Sequence, residues 1–178
     1  MKTVFKGVAT ALITPMKQNG EVDYEAFGRL IDWQIEQGIN ALVACGTTGE
    51  CATLDDNEHK EVIKFCVERA NKRVPVIAGT GGNDTAYAIK LTKHAKEVGA
   101  DACLLVTPYY NKATQKGLIK MFGEIAESVD LPMIVYNVPS RTGVNIEPAT
   151  YKALTQFKNI RGIKEANGNI SKAVETMS

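Results

Sequence analysis

Ile160-Arg161-Gly162-Ile163-Lys164-Glu165 reads as a short strand that ends in charge. Apolar residues stand at 160 and 163, a glycine lies between them, and the turn cluster Asn167-Gly168-Asn169 follows. Lysine is rarely buried, because its ammonium must leave water. Two readings of Lys164 stay open on these residues alone. Its head group reaches solvent from the strand end. Or the strand end is largely buried, and desolvation lowers the pKa enough to make the amine a nucleophile.

Upstream, the same kind of run recurs at Val8–Ile13, Ala41–Cys45, Val76–Thr80, Ala102–Thr107 and Met133–Asn137, with starts 26 to 35 residues apart. Helical periodicity fills the intervals. One helix is expected from about Asp23 to Gln37, with Phe27, Leu30, Ile31 and Ile35 on one face. A second starts near Asp55, with Glu58 placed for a capping box. Others span about Thr85 to Glu97 and Gln115 to Ser128. A fifth opens with Pro148, and a sixth opens after Asn169. Strands alternating with helices at this period imply parallel strands joined by right-handed crossovers. The continuous apolar runs suit a sheet covered by helices. No linker or low-complexity stretch divides residues 1–178, so one domain is expected. Six βα units are present, whereas a closed (β/α)8 barrel has eight and about 250 residues. Periodicity fits both an open doubly wound sheet and a barrel without its last quarter.

Composition narrows the function. The 178 residues are 44% hydrophobic and 23% charged, with a net charge of +1. That balance argues against nucleic acid or an acidic membrane surface as a partner. No run approaches the roughly 18 apolar residues of a membrane span, and the start has no apolar signal core, so the cytoplasm is expected. Cys45, Cys51, Cys66 and Cys103 form no C-x-x-C pair and read as reduced core residues. His59 and His94 fall on different expected helices, His59 packing or capping near a helix start and His94 on a surface, so no metal site is expected.

Four polar clusters follow four strands at their C-terminal ends, where both architectures place their sites. Gly46-Thr47-Thr48-Gly49-Glu50 can turn tightly and gather N–H groups and hydroxyls around a carboxylate, or serve as a plain loop. Gly79-Thr80-Gly81-Gly82-Asn83 lacks the fuller phosphate-binding patterns and reads better as a close-packed turn than as a phosphate cradle. Pro108-Tyr109-Tyr110-Asn111-Lys112 carries two tyrosines outside a regular element. Tyr136-Asn137-Val138-Pro139-Ser140-Arg141-Thr142-Gly143 ends a strand on a phenol and places a guanidinium five residues later. Arginine recognises carboxylates bidentately, and a phenol can pass protons. With Lys164 these make an amine nucleophile, a proton carrier and a carboxylate clamp, a set suited to Schiff-base chemistry on an α-keto acid.

In order and spacing, these clusters and Gly162-Ile163-Lys164-Glu165-Ala166 resemble the dihydrodipicolinate synthase / N-acetylneuraminate lyase family, and Gly7–Pro15 looks like that family's first strand. The resemblance covers essentially the whole chain. The arginine in Tyr136–Gly143 resembles the synthase branch rather than the lyases. The resemblance implies an α/β (β/α)8 TIM barrel, of which this chain holds about the first six βα units. It implies condensation of pyruvate with L-aspartate 4-semialdehyde, giving 4-hydroxy-tetrahydrodipicolinate on the route to diaminopimelate and lysine. It also implies a homo-oligomer, a tetramer built from dimers. By resemblance, Lys164 forms the Schiff base and Tyr136 shuttles protons. Thr48 links Tyr136 to Tyr110, which a neighbouring subunit supplies. Thr47 and Thr48 hold the pyruvate carboxylate, and Arg141 binds that of the semialdehyde. No cofactor or metal is implied, since the imine is the electron sink. Asn83 and Tyr109 match an allosteric lysine pocket. Asp56 and Tyr87 stand where lysine-sensitive relatives commonly carry histidine and glutamate, so weak or absent lysine inhibition is expected. The family continues past the position of Ser178 through two more strands and a helical region. The competing readings are a sugar-acid lyase of the same family, an inactive fragment or scaffold, and a phosphate-binding barrel using Gly79–Gly82.

Overall fold

The computed structural model describes residues 3–177. Among them the elements run β1 (Ala9–Ala11), α1 (Tyr24–Glu36), β2 (Ala41–Ala44), α2 (Asp56–Ala70), β3 (Val76–Gly79), α3 (Thr85–Glu97), β4 (Ala102–Val106), α4 (Gln115–Ser128), β5 (Met133–Asn137), α5 (Pro139–Thr142), α6 (Pro148–Leu154), β6 (Ile160–Glu165) and α7 (Ile170–Met177). The strands pair in chain order, β1 to β6. Packing gathers the chain into two compact units. One holds the residues up to Gly79 together with Lys93–Cys103, and the other holds Thr80–Thr92 and the residues from Leu104 on.

In the first unit β1, β2 and β3 pair in parallel, with Ala9 opposite Ala41 and Leu42 opposite Val76. β2 and β3 are buried at every residue, as their unbroken apolar runs require. Helices α1 and α2 cover them through Phe27, Ile31, Val62, Ile63 and Cys66, all at 0% exposure. Each large side chain buried this way contributes about 1.5–3 kcal/mol. Phe65 stacks on Phe27 at 5.8 Å and tilts against Tyr24 at 5.0 Å. The capping box forms: Glu58 N donates to Asp55 Oδ1 at 2.8 Å, and Asp55 N donates to Glu58 Oε2 at 3.0 Å. Asp23 caps α1 by accepting from Ala26 N at 2.9 Å.

Strand β2 stops one residue earlier than its apolar run, because Cys45 turns left-handed at φ 54°. β1 is likewise shorter than Val8–Ile13, with Val8 and Ile13 more than half exposed.

His59 is 4% exposed and donates from Nε2 to Gly79 O at 2.8 Å, which fixes its tautomer. His94, half-buried, faces the Lys60 carbonyl at 3.1 Å. Burial holds the His59 pKa below its ordinary value, against the raising effect of its Gly79 hydrogen bond and of Asp56. A buried base whose folded pKa is depressed binds its proton more readily unfolded. Stability is therefore expected to fall as pH drops through the unfolded value of about 6.5 toward the lower folded value. Urea melts across that window check this, and His59→Gln should flatten the slope there.

In the second unit β5 and β6 pair in parallel. Asn159 at the start of β6 donates from Nδ2 to Ala126 O at 2.8 Å and Val129 O at 2.9 Å, satisfying carbonyls at the end of α4. A Cβ on Gly81 would lie 2.4 Å from Val106 N, so this glycine serves a close backbone approach. The short helix α5 is absent from the sequence-based expectation. Pro139 opens it and Gly143 closes it at φ 70°.

Strand β6 departs from the expectation of a buried apolar run. It pairs on one side only and none of its residues is buried, Ile163 being 42% exposed.

Candidate active site

The register of β5 and β6 is broken by one residue. Met133 lies opposite Ile160, but Ile134 lies opposite Gly162, so Arg161 is the extra residue of a β-bulge. Unbroken pairing from Ile160 would set Tyr136 opposite Ile163 and Asn137 opposite Lys164. The bulge instead sets Tyr136 opposite Lys164 and Asn137 opposite Glu165. A one-residue slip carries every side chain to the other face. The bulge thus brings phenol and amine onto one face and two polar partners onto the other.

Lys164 Nζ sits 4.2 Å from the centroid of the Tyr136 ring. Tyr136 itself is buried, 6% exposed. Lys164 is exposed, the first of the two readings that its own residues leave open. Its pKa nevertheless lies below the ordinary lysine value, because the strand end and ring displace part of the water around the amine.

Arg141 is exposed in the last turn of α5, which leaves β5 directly. Tyr110 N donates to Thr142 O at 3.3 Å, bringing the Tyr110 loop beside the Arg141 segment. Tyr110 adopts φ 75° and is 93% exposed, so its phenol projects outward from its own chain. Tyr109 N donates to Asn83 Oδ1 at 2.6 Å, which joins that pair of expected residues. Thr47 and Thr48 belong to the first unit, where both are exposed in the turn after β2. Gly49 N donates to Gly46 O at 3.0 Å, and Thr14 Oγ1 donates to Gly49 O at 2.7 Å, so this turn is held from within that unit.

Sequence reading missed the polar cluster on the opposite face of β5 and β6. Asn137 Nδ2 donates to Glu165 at 2.9 Å, and Tyr151 OH donates to Glu165 Oε2 at 2.8 Å. The available signal was that β5 and β6 both end on polar residues immediately after the candidate pair. Among the described residues no group of three or more His, Cys, Asp or Glu could hold a metal ion, and no helix is long and apolar enough to cross a membrane.

Residues 4–178 match the Dihydrodipicolinate synthetase family. A 4-hydroxy-tetrahydrodipicolinate synthase of Acetivibrio thermocellus is 58% identical over 168 residues, 94% of this chain and 57% of its own. The chloride-inhibited dihydrodipicolinate synthase of Acinetobacter baumannii, solved with pyruvate, superposes with TM-score 0.95 at 51% identity, over 98% of this chain and 60% of that one. The Aquifex aeolicus dihydrodipicolinate synthase gives TM-score 0.94 at 52% identity, over 97% and 59%. The chain spans 57–60% of the length of these relatives. Its six βα units are those of a (β/α)8 barrel, which decides between the two architectures left open by periodicity. The chain belongs to the dihydrodipicolinate synthetase family.

Proposed function

We propose that Lys164 is the Schiff-base nucleophile of a 4-hydroxy-tetrahydrodipicolinate synthase, condensing pyruvate with L-aspartate 4-semialdehyde. The observation that carries this reading is the Lys164 amine, its pKa lowered, seated 4.2 Å from the Tyr136 ring. The neutral amine attacks C2 of pyruvate, and the carbonyl oxygen leaves as water. Loss of a proton from C3 turns the imine into an enamine. The enamine carbon then bonds to the aldehyde carbon, whose oxygen takes up a proton. Attack of the substrate amine on C2 closes the ring and displaces the Lys164 amine.

Tyr136, a neutral phenol at fixed geometry beside that amine, carries protons between steps. The exposed guanidinium of Arg141 recognises the semialdehyde carboxylate by a bidentate pair. The outward Tyr110 is offered to a neighbouring copy of the chain. The electron sink is the imine itself, so the reaction calls for no cofactor.

Borohydride trapping tests the reading. Pyruvate and borohydride are added to the full chain, shown folded by circular dichroism, and peptides are read by mass spectrometry. A reduced pyruvyl adduct on the Lys164 peptide is expected. A folded chain with no adduct, or with the adduct on another lysine, overturns it.

A further inference from the structure

We infer that Glu165 is a positioning residue, whose carboxylate locks the bulged β5–β6 register that sets Lys164 against Tyr136. The inference rests on the pyruvate reading only for Lys164's task, since the geometry stands without it.

Every partner of the Glu165 carboxylate is a donor. Asn137 Nδ2 reaches Oε1 at 2.9 Å and Oε2 at 3.2 Å, Tyr151 OH reaches Oε2 at 2.8 Å, and Asn167 N reaches Oε1 at 3.0 Å. An ionised carboxylate, acceptor only, matches this set. Asn137 is fully buried and anchored on its other sides. Its Oδ1 accepts from Ile146 N at 3.1 Å, its Nδ2 also donates to Asn145 Oδ1 at 2.9 Å, and its carbonyl accepts from Ala166 N at 2.9 Å. Tyr151 is 6% exposed, and its phenol pKa is pushed up by burial first and by Glu165 next, so it remains a donor.

Two registers of β6 against β5 differ by the single bulge residue, and a one-residue slip decides which face Lys164 takes. In the unbroken register Asn137 would oppose Lys164, and Glu165 would lie one step beyond it. The Asn137–Glu165 bonds therefore form only when the bulge is present and Lys164 faces Tyr136. Asn167, the third donor, also ties down the turn into α7.

The test compares the wild-type full chain with Glu165→Gln and Tyr151→Phe. The amide of Glu165→Gln turns donors against donors. Tyr151→Phe removes one bond and leaves the carboxylate. The first readout is the titration midpoint of Lys164, followed by NMR of the 13Cε signal and assigned with Lys164→Arg. The second is the rate of borohydride trapping with pyruvate.

Released from the ring, the amine regains water. Its midpoint is expected to rise toward the ordinary lysine value of about 10.4 in Glu165→Gln, with a smaller rise in Tyr151→Phe. Trapping is expected to slow about tenfold or more in Glu165→Gln, the scale of a misplaced reacting atom. Folded variants with wild-type midpoint and trapping rate overturn the inference. So does a fall in midpoint, which would make Glu165 a charge acting on the amine rather than a clamp. Should Glu165→Gln not fold, Tyr151→Phe decides by the same readouts. A wild-type chain without adduct would overturn the pyruvate reading alone, because the titration judges Glu165 without pyruvate.

Discussion

Replacing Lys164 by arginine is expected to reduce pyruvate-dependent borohydride labelling to background while leaving the fold intact. The guanidinium keeps the positive charge and much of the length of the side chain, so it can still rest near the Tyr136 ring. It cannot shed a proton in a protein, and so never presents the lone pair that attacks a carbonyl. Lys164→Ala should give the same null labelling by removing the amine altogether. Neither change should cost much stability. The side chain is exposed, and losing its contact with the Tyr136 ring costs about 0.5–1 kcal/mol. The loss of labelling would then belong to the chemistry. Peptide mass spectrometry and a thermal melt on the same samples check both halves. Undiminished labelling in the arginine variant would place the imine on another lysine. It would also remove the functional meaning of the Tyr136–Lys164 pairing.

Much of this arrangement could be read before any coordinates, for identifiable reasons. Alternating β-type and helical periods carry βα topology directly, and α3, α4 and β5 keep the limits expected from that periodicity. The polar clusters could be placed because parallel βα units put their C-terminal loops at one edge. The position of the bulge could not. Gly162 hints at an irregular strand, but the extra residue is Arg161 only because of how β6 pairs with β5, and pairing is a long-range property. The Glu165 cluster was hidden for the same reason. Asn137, Tyr151 and Glu165 are ordinary polar residues until the register and α6 bring them together.

Gly79→Ala is expected to destabilise the first unit by about 3 kcal/mol, the upper range for forcing atoms into a packed interior. A Cβ at this position would lie 1.9 Å from the Cys45 carbonyl oxygen and 2.5 Å from its carbon. Those are backbone atoms at the buried end of β2, where Cys45 already holds φ 54°, so no flexible side chain can yield. The Gly79 carbonyl also receives the His59 Nε2 hydrogen bond, and a shift of β3 would strain that bond as well. For a chain of this size the melting temperature should drop by about 10 °C. Gly82→Ala is the control. Nothing lies within 4 Å of its added Cβ, so a near-neutral melt is expected. The two glycines come from the same sequence cluster, which could be read either as a phosphate cradle or as a close-packed turn. A cradle needs glycine wherever the backbone must approach an anion, and Gly82 would then matter for phosphate binding. Close packing needs glycine only where another backbone already sits, and only Gly79 and Gly81 meet that condition. A large loss at Gly79 with none at Gly82 is thus the signature of packing. Equal losses at both would mean that loop conformation, rather than contact with Cys45, sets the requirement.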